Sequence, residues 1–216
     1  MLRHAYMIGV HNQFALLELL LRGLDHPQND FFIHVDAKVK DFDFAYFSSV
    51  TKHSKVYYTD RVSVNWGGYN QIRMEMGMQK AAFARGYDRY HLMSGVDLPL
   101  RSAQSIVDFF EAHPEEEFLH FSPSAFCRSD NVLDRVRYYH LLQEKMRRDG
   151  GFMNFMERVL LKLQRLLKVD RTKKLGMEVK CGAAWYSITH AALAYVLSKE
   201  DWIRKHFRYT CCGDEE

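Results

Sequence analysis

Four short apolar runs, each separated from the next by a longer segment, constrain this chain more than anything else in it. Ala5–Val10 (AYMIGV), Phe31–Asp36 (FFIHVD), Lys55–Thr59 (KVYYT) and Arg89–Ser94 (RYHLMS) read as strands. Between and after them lie helical patterns. Leu16, Leu17, Leu20 and Leu21 mark one helix, with Asn12 as its N-cap. A second runs over about 71–85 and closes on Gly86, and a third over about 103–112 precedes a further strand at Glu117–Phe121. Strands alternating with helices call for parallel pairing in an α/β layer.

From Ser122 the texture changes. Residues 122–134 read as a loop, and helical patterns cover about 133–148 and 152–168, split by Gly150-Gly151. Phe152, Met156, Val159, Leu163, Leu166 and Leu167 form one apolar stripe, with Arg158, Lys162 and Arg165 on another face. Between Lys145 and Lys174 ten Lys/Arg stand against three Asp/Glu, an excess of seven positive charges. The expectation is a helix that buries its stripe in the core; the alternative is a face resting on an anionic membrane. A strand at 183–188 and two short helices lead to Cys211-Cys212-Gly213-Asp214-Glu215-Glu216. The whole reads as one domain, 1–216, cut short at its C-terminus, with halves 1–121 and 122–216.

Hydrophobic residues at 47% and charged residues at 26% exclude disordered, collagenous and coiled-coil classes. A net charge of +3 gives nucleic acid little support as the main partner. Of the four cysteines two are adjacent and none forms CxxC, so neither a disulfide framework nor zinc is expected, and reduced thiols in the cytoplasm are. No leader pattern opens the chain, and no window nears the ~18 apolar residues of a membrane span. The expected location is cytoplasmic, and the alternative reading of residues 152–168 adds peripheral contact at the inner face of the membrane.

Asp36 ends the second strand at the carboxyl edge of the presumed sheet, where open α/β sheets bind ligands; strand-end capping explains it equally well. His34, mid-strand, reads as a satisfied core histidine. The first turn, Gly9-Val10-His11-Asn12-Gln13, has one glycine and no GxGxxG, which speaks against a dinucleotide. Trp66-Gly67-Gly68 allows close backbone approach beside a ring that can stack, or else forms a tight turn with a core Trp. Ser94-Gly95-Val96-Asp97-Leu98-Pro99 suits a ligand-facing loop. Asp41-Phe42-Asp43 has the spelling of an acidic metal signature, but it stands in a charged loop and reads as solvated charge and helix capping. Asp214-Glu215-Glu216 is either a helix-opening acidic run or the home of a catalytic carboxylate.

Taken in order, HAYMIGVHN, NDFFIHVDAK, VNWGGYNQIRMEMGMQKA, YHLMSGVDLPLRSAQSIVDFF, GAAWYSIT and the terminal GDE resemble the core-2/I-branching β-1,6-N-acetylglucosaminyltransferase family, which also contains peptide O-xylosyltransferase. The resemblance implies a GT-A-like, Rossmann-related mixed sheet flanked by helices, with the basic helical stretch inserted after the nucleotide-binding half. It also implies an inverting, metal-free transfer of a sugar from a UDP-sugar to a saccharide hydroxyl, in cell-surface glycan assembly. GlcNAc is the first expectation for the sugar and xylose the alternative; the acceptor could be lipid-linked. Carried over by motif, Val10, His11, Asp36, Trp66, Gly67, Gly68, Ser94, Gly95 and Asp97 fall on the donor side. Arg135, Arg137, Tyr138 and Trp185 fall on the acceptor side, and Glu215 is the general base. No cofactor, metal or nucleic acid is expected. In the family, basic residues that neutralise the UDP diphosphate follow the general base, beyond Glu216. A non-catalytic sugar-nucleotide or glycan-binding module is the competing expectation.

Overall fold

The computed structural model describes residues 1–146, 150–175 and 178–211. In chain order the strands are β1 (His4–Val10), β2 (Asn29–Val35), β3 (Val56–Tyr58), β4 (Arg89–Ser94), β5 (Phe118–Leu119) and β6 (Tyr186–Thr189). The first helices are α1 (Phe14–Gly23), α2 (Phe44–Ser48), α3 (Tyr69–Phe83), α4 (Ala103–Ala112) and α5 (Ser124–Cys127). After them come α6 (Asp130–Arg137), α7 (Phe152–Leu166), α8 (His190–Ser198) and α9 (Glu200–Phe207), with 3-10 turns at Gln143–Lys145 and Thr172–Lys174. The chain divides into two compact units. One comprises residues 1–63, 74–119 and 184–198, the other 64–73, 120–183 and 199–216.

The first unit holds a six-stranded mixed sheet in the order β3-β2-β1-β4-β6-β5. The four expected strands pair in parallel, β1 with β2 and β4, and β2 with β3. Alternate side chains then serve two cores, as the period of two requires. Tyr6, Ile8, Val10, Phe31, Ile33 and Val35 meet Leu17, Leu20 and Leu21 of α1 and Phe47 of α2. Ala5, Met7, Phe32, Tyr90 and Leu92 meet Met78 and Ala82 of α3 and Leu193 of α8.

Several expectations need correction. The α1 N-cap is Gln13, not Asn12; it stands in the left-handed region at φ 49° and gives no side-chain cap bond. The strand expected at 117–121 shrinks to two residues, because β6 lies between it and β4 and pairs antiparallel with both. His34 is only half satisfied. Its Nε2 accepts from the Val62 N–H at 2.8 Å, while buried Nδ1 has no partner among the described residues. On the other hand, Asp43 accepts from the Tyr46 N–H at 2.9 Å and caps α2, as read.

In the second unit the expected loop 122–134 contains α5 and the start of α6, and the helix expected over 133–148 stops at Arg137. The stop has a tertiary cause. The Tyr139 N–H is taken by Gln164 Oε1 (2.8 Å), the His140 N–H by the Tyr209 carbonyl (2.9 Å) and the Leu142 N–H by Glu157 Oε2 (3.0 Å). Donors so engaged cannot continue an α-helix.

The helix α7 forms as the spacing predicts, but its apolar stripe does not enter a core. Phe152, Val159, Leu163 and Leu166 are exposed, Phe152 at 68% and Leu166 at 78%. The face turned inward is polar. Glu157 is the helix's buried residue, and Gln164 bonds both the N–H and the carbonyl of Tyr139. The same bonds keep these polar side chains on the inward face, since a buried N–H without an acceptor is costly.

Candidate functional site

The carboxyl ends of β1, β2 and β4 lie side by side in the first unit, as the register Val10↔Val35 and Gly9↔Ser94 shows. Loops leaving such an edge carry the ligand sites of open α/β sheets. At β2, Asp36 is buried (5% exposed); its N–H donates to the Val10 carbonyl at 2.9 Å. Asp36 Oδ1 accepts from the Lys38 N–H at 2.8 Å, and Oδ2 lies 3.6 Å from the Lys38 ammonium. Capping of the turn is therefore real, and it presents the carboxylate at the edge in a fixed orientation.

Sequence reasoning missed the clamp beneath this turn. Arg61, just past β3, donates from Nε to the Val35 carbonyl (3.1 Å) and from Nη2 to the carbonyls of Asp36 (2.8 Å) and Val39. Nothing in TDRV marks this role, because its acceptors are backbone oxygens 22 to 26 residues away.

At β4 the loop closes on Asp97. Its Oδ2 accepts from the Ser94 N–H at 2.7 Å and from the indole N–H of Trp185 at 2.8 Å. Gly95 donates to the Gly9 carbonyl at 3.0 Å, and a Cβ there would stand 3.0 Å from Val10 Cγ2, so the close approach of β1 and the loop calls for glycine. Trp185, read as an acceptor residue, is 44% exposed and donates to the carboxylate of the loop that was read as donor-side. Val10, Asp36, Ser94, Gly95, Asp97 and Trp185 thus come together, with exposed His11 on the turn after β1.

Trp66, Gly67 and Gly68 belong to the second unit. Trp66 is 58% exposed, so it is not a core residue. Gly67 stands at φ 72°, and the close approach at Gly68 is made by Glu144, whose carboxylate would lie 2.8–2.9 Å from an added Cβ. Glu144 Oε1 accepts from the Asn70 N–H at 2.6 Å in the first turn of α3, and Gln143 Nε2 donates to the Trp66 carbonyl at 2.9 Å. Of the residues read as acceptor-side, Arg137 pairs with Asp134 (3.0 Å), the Arg135 carbonyl accepts from the Cys211 N–H (2.9 Å), and Tyr138 is buried with the Arg165 guanidinium over its ring. The Tyr138 ring is thereby taken up inside its own unit. Glu215 lies outside the described residues. Among the described residues no group of three or more His, Cys, Asp or Glu is placed to hold a metal ion, and no helix is long and apolar enough to cross a membrane.

A buried polar chain crosses the sheet at the other end of the strands. His4 Nδ1 lies 3.0 Å from His91 Nε2, and His91 Nδ1 lies 2.7 Å from Ser187 Oγ. Burial, then the neighbouring Arg89, pushes the His4 ring down to about 4, and burial, then His4, holds His91 well below its ordinary value. This pair is part of the scaffold and is distant in register from Ser94.

The family profile of the Core-2/I-Branching enzymes matches residues 4–216. The chain belongs to that family. It is 26% identical over 219 residues to xylosyltransferase 2 of Canis lupus familiaris, covering 96% of this chain and 23% of that protein. It is 30% identical over 107 residues to human beta-1,3-galactosyl-O-glycosyl-glycoprotein beta-1,6-N-acetylglucosaminyltransferase, covering 48% of this chain and 25% of that one. The family member thus spans about a quarter of the length of these curated relatives. Among solved structures it resembles the 4-diphosphocytidyl-2C-methyl-D-erythritol synthase of Anaerococcus prevotii, with a TM-score of 0.43, 8% identity, and coverage of 93% of this chain and 75% of that one.

Proposed function

We propose that this branching-family chain transfers a sugar from a UDP-sugar to a hydroxyl of a saccharide acceptor, with inversion and without a metal, in cell-surface glycan assembly. The observation that carries the reading is the gathering of Asp36, Ser94, Gly95, Asp97 and Trp185 at the carboxyl edge of three parallel strands. The Asp36 carboxylate, oriented by the Lys38 N–H, is suited to a nucleoside hydroxyl. Lys38 and the backbone at Gly95 are suited to the donor's charged and bulky part. UDP-GlcNAc is the first donor to test and UDP-xylose the second, since the relatives include a protein of each description.

Calorimetric titration with UDP in EDTA tests the reading. UDP should bind, and Asp36→Ala should weaken it by about 1–3 kcal/mol, the cost of removing a partner from a buried ligand hydrogen bond. Asp36→Ala also frees the Lys38 turn, so Asp36→Asn, which can still accept there, is the companion variant; it should keep the fold and lose most of the same affinity. Full UDP affinity in both variants would leave Asp36 a turn cap only, and absence of UDP binding would favour a glycan-binding module.

The outward stripe of α7 supports peripheral attachment to an anionic membrane surface. Phe152, Val159, Leu163 and Leu166 face away from the polar docking side, and Arg158 and Lys162 flank them, so the charge complements acidic lipid headgroups. Each basic residue contributes about 1 kcal/mol near such a surface. Co-sedimentation with phosphatidylglycerol vesicles should fall with salt and on replacing Arg158, Lys162 and Lys168 by Gln. Arg165 is left in place because it pairs with Asp134 at 2.9 Å. Equal recovery with neutral vesicles would refute the attachment.

A further inference from the structure

Within the second unit a cleft of about 310 Å³ opens between the first turn of α3, the 3-10 turn at Gln143–Lys145 and the end of α9. Its volume falls at the lower end of the ~300–1,000 Å³ range of small-ligand pockets. Three guanidiniums line it, Arg73, Arg204 and Arg208, together with Tyr69, Tyr209 and Glu144. The arginines are weakly engaged. Arg73 donates to Asn70 Oδ1 at 2.9 Å, Arg204 pairs with Asp201, an acid 90% exposed, and Arg208 lies over the ring of Tyr209, 5.3 Å from its centroid.

Planar guanidiniums gathered in one cleft suit an oxyanion, which they can grip in bidentate fashion. The carboxylate decides which oxyanion. Glu144 Oε1 is satisfied by the Asn70 N–H, but Oε2 is buried without a hydrogen-bond donor among the described residues. A naked diphosphate would bring like charge and no hydrogen to that oxygen. A sugar ring brings hydroxyl donors, and Tyr69 offers it a flat face.

We infer that this cleft is a subsite for an acidic saccharide, whose carboxylate, sulfate or phosphate engages Arg73, Arg204 and Arg208 while a ring hydroxyl donates to Glu144.

The test is a titration of the isotope-labelled chain, followed by NMR, with glucuronate, glucose, pyrophosphate and UDP. Glucuronate should bind at least about tenfold more tightly than glucose, the usual yield of a charge-assisted hydrogen bond. Arg204→Gln and Arg208→Gln alter exposed side chains, so the fold should persist and glucuronate affinity should drop by a similar factor. Glu144→Gln should weaken glucuronate and strengthen pyrophosphate. Equal affinity for glucose and glucuronate would overturn the inference. So would pyrophosphate or UDP displacing glucuronate at lower concentration, which would make the cleft a diphosphate site. Glucuronate binding that survives while UDP binds nowhere would uphold the subsite and remove only the transferase reading.

Discussion

Glu215→Gln is expected to lower sugar transfer by about 10²–10⁴-fold, the usual contribution of a positioned general base. In the proposed reaction the acceptor hydroxyl gives its proton to Glu215 as its oxygen forms a bond to the anomeric carbon. The bond from that carbon to the UDP oxygen breaks on the opposite face. Glutamine preserves the shape of the side chain but cannot take the proton. Because the base acts on the acceptor, UDP affinity should stay within a few-fold, and this split separates a chemical role from a structural one. Glu216→Gln is the neighbouring control and should be mild. Retention of more than about a tenth of the wild-type rate in Glu215→Gln would remove the assignment.

Acid is expected to destabilise the first unit well above the range in which carboxylates titrate. His4 is fully buried, stacked on His91 at 5.2 Å between ring centroids, with Tyr6 and Phe110 against His91. Their neutral form is what the apolar stack and nearby Arg89 tolerate. Below pH 6.5 the unfolded chain binds protons that the folded one refuses, so stability falls as pH falls. For His4 the window runs from 6.5 to about 4, and each pH unit across it removes about 1.4 kcal/mol, or about 3 kcal/mol in all. His91 and His34, both lowered mainly by burial, act in the same direction. Urea midpoints at pH 7 and pH 4.5 measure the effect. A His91→Gln variant keeps a hydrogen-bonding group but not the titration, and its stability should vary less with pH. Wild-type stability that is flat over this interval would contradict the buried neutral pair.

The strands β1, β2 and β4 were legible because a strand buried on both faces is largely apolar or aromatic, as AYMIGV, FFIHVD and RYHLMS are, although His34, Arg89 and His91 within them are buried as well. Ends set by local chemistry were legible too, as with Asp43 capping α2 and Gly86 at φ 67° after α3. So was the place of Asp36 and of the loop after Ser94 at the carboxyl edge of the sheet, since the end of a parallel strand follows from the strand itself. What the tertiary structure decided were relations between residues far apart in the chain. The Asp97 carboxylate holds Trp185 across 88 positions, and Glu144 comes to rest at Gly68, with its bond to Asn70 spanning 74. Strand β6 enters between β4 and β5 from a segment that local pattern cannot rank against its neighbours. For α7 the 3.6-residue period predicted the helix but not its orientation. Both of its faces carried enough to bury, and the bonds to the Tyr139 and Leu142 N–H groups keep the polar one inward. Local sequence specifies which hydrogen bonds and apolar surfaces need partners. Only the folded chain selects which distant residue meets each need.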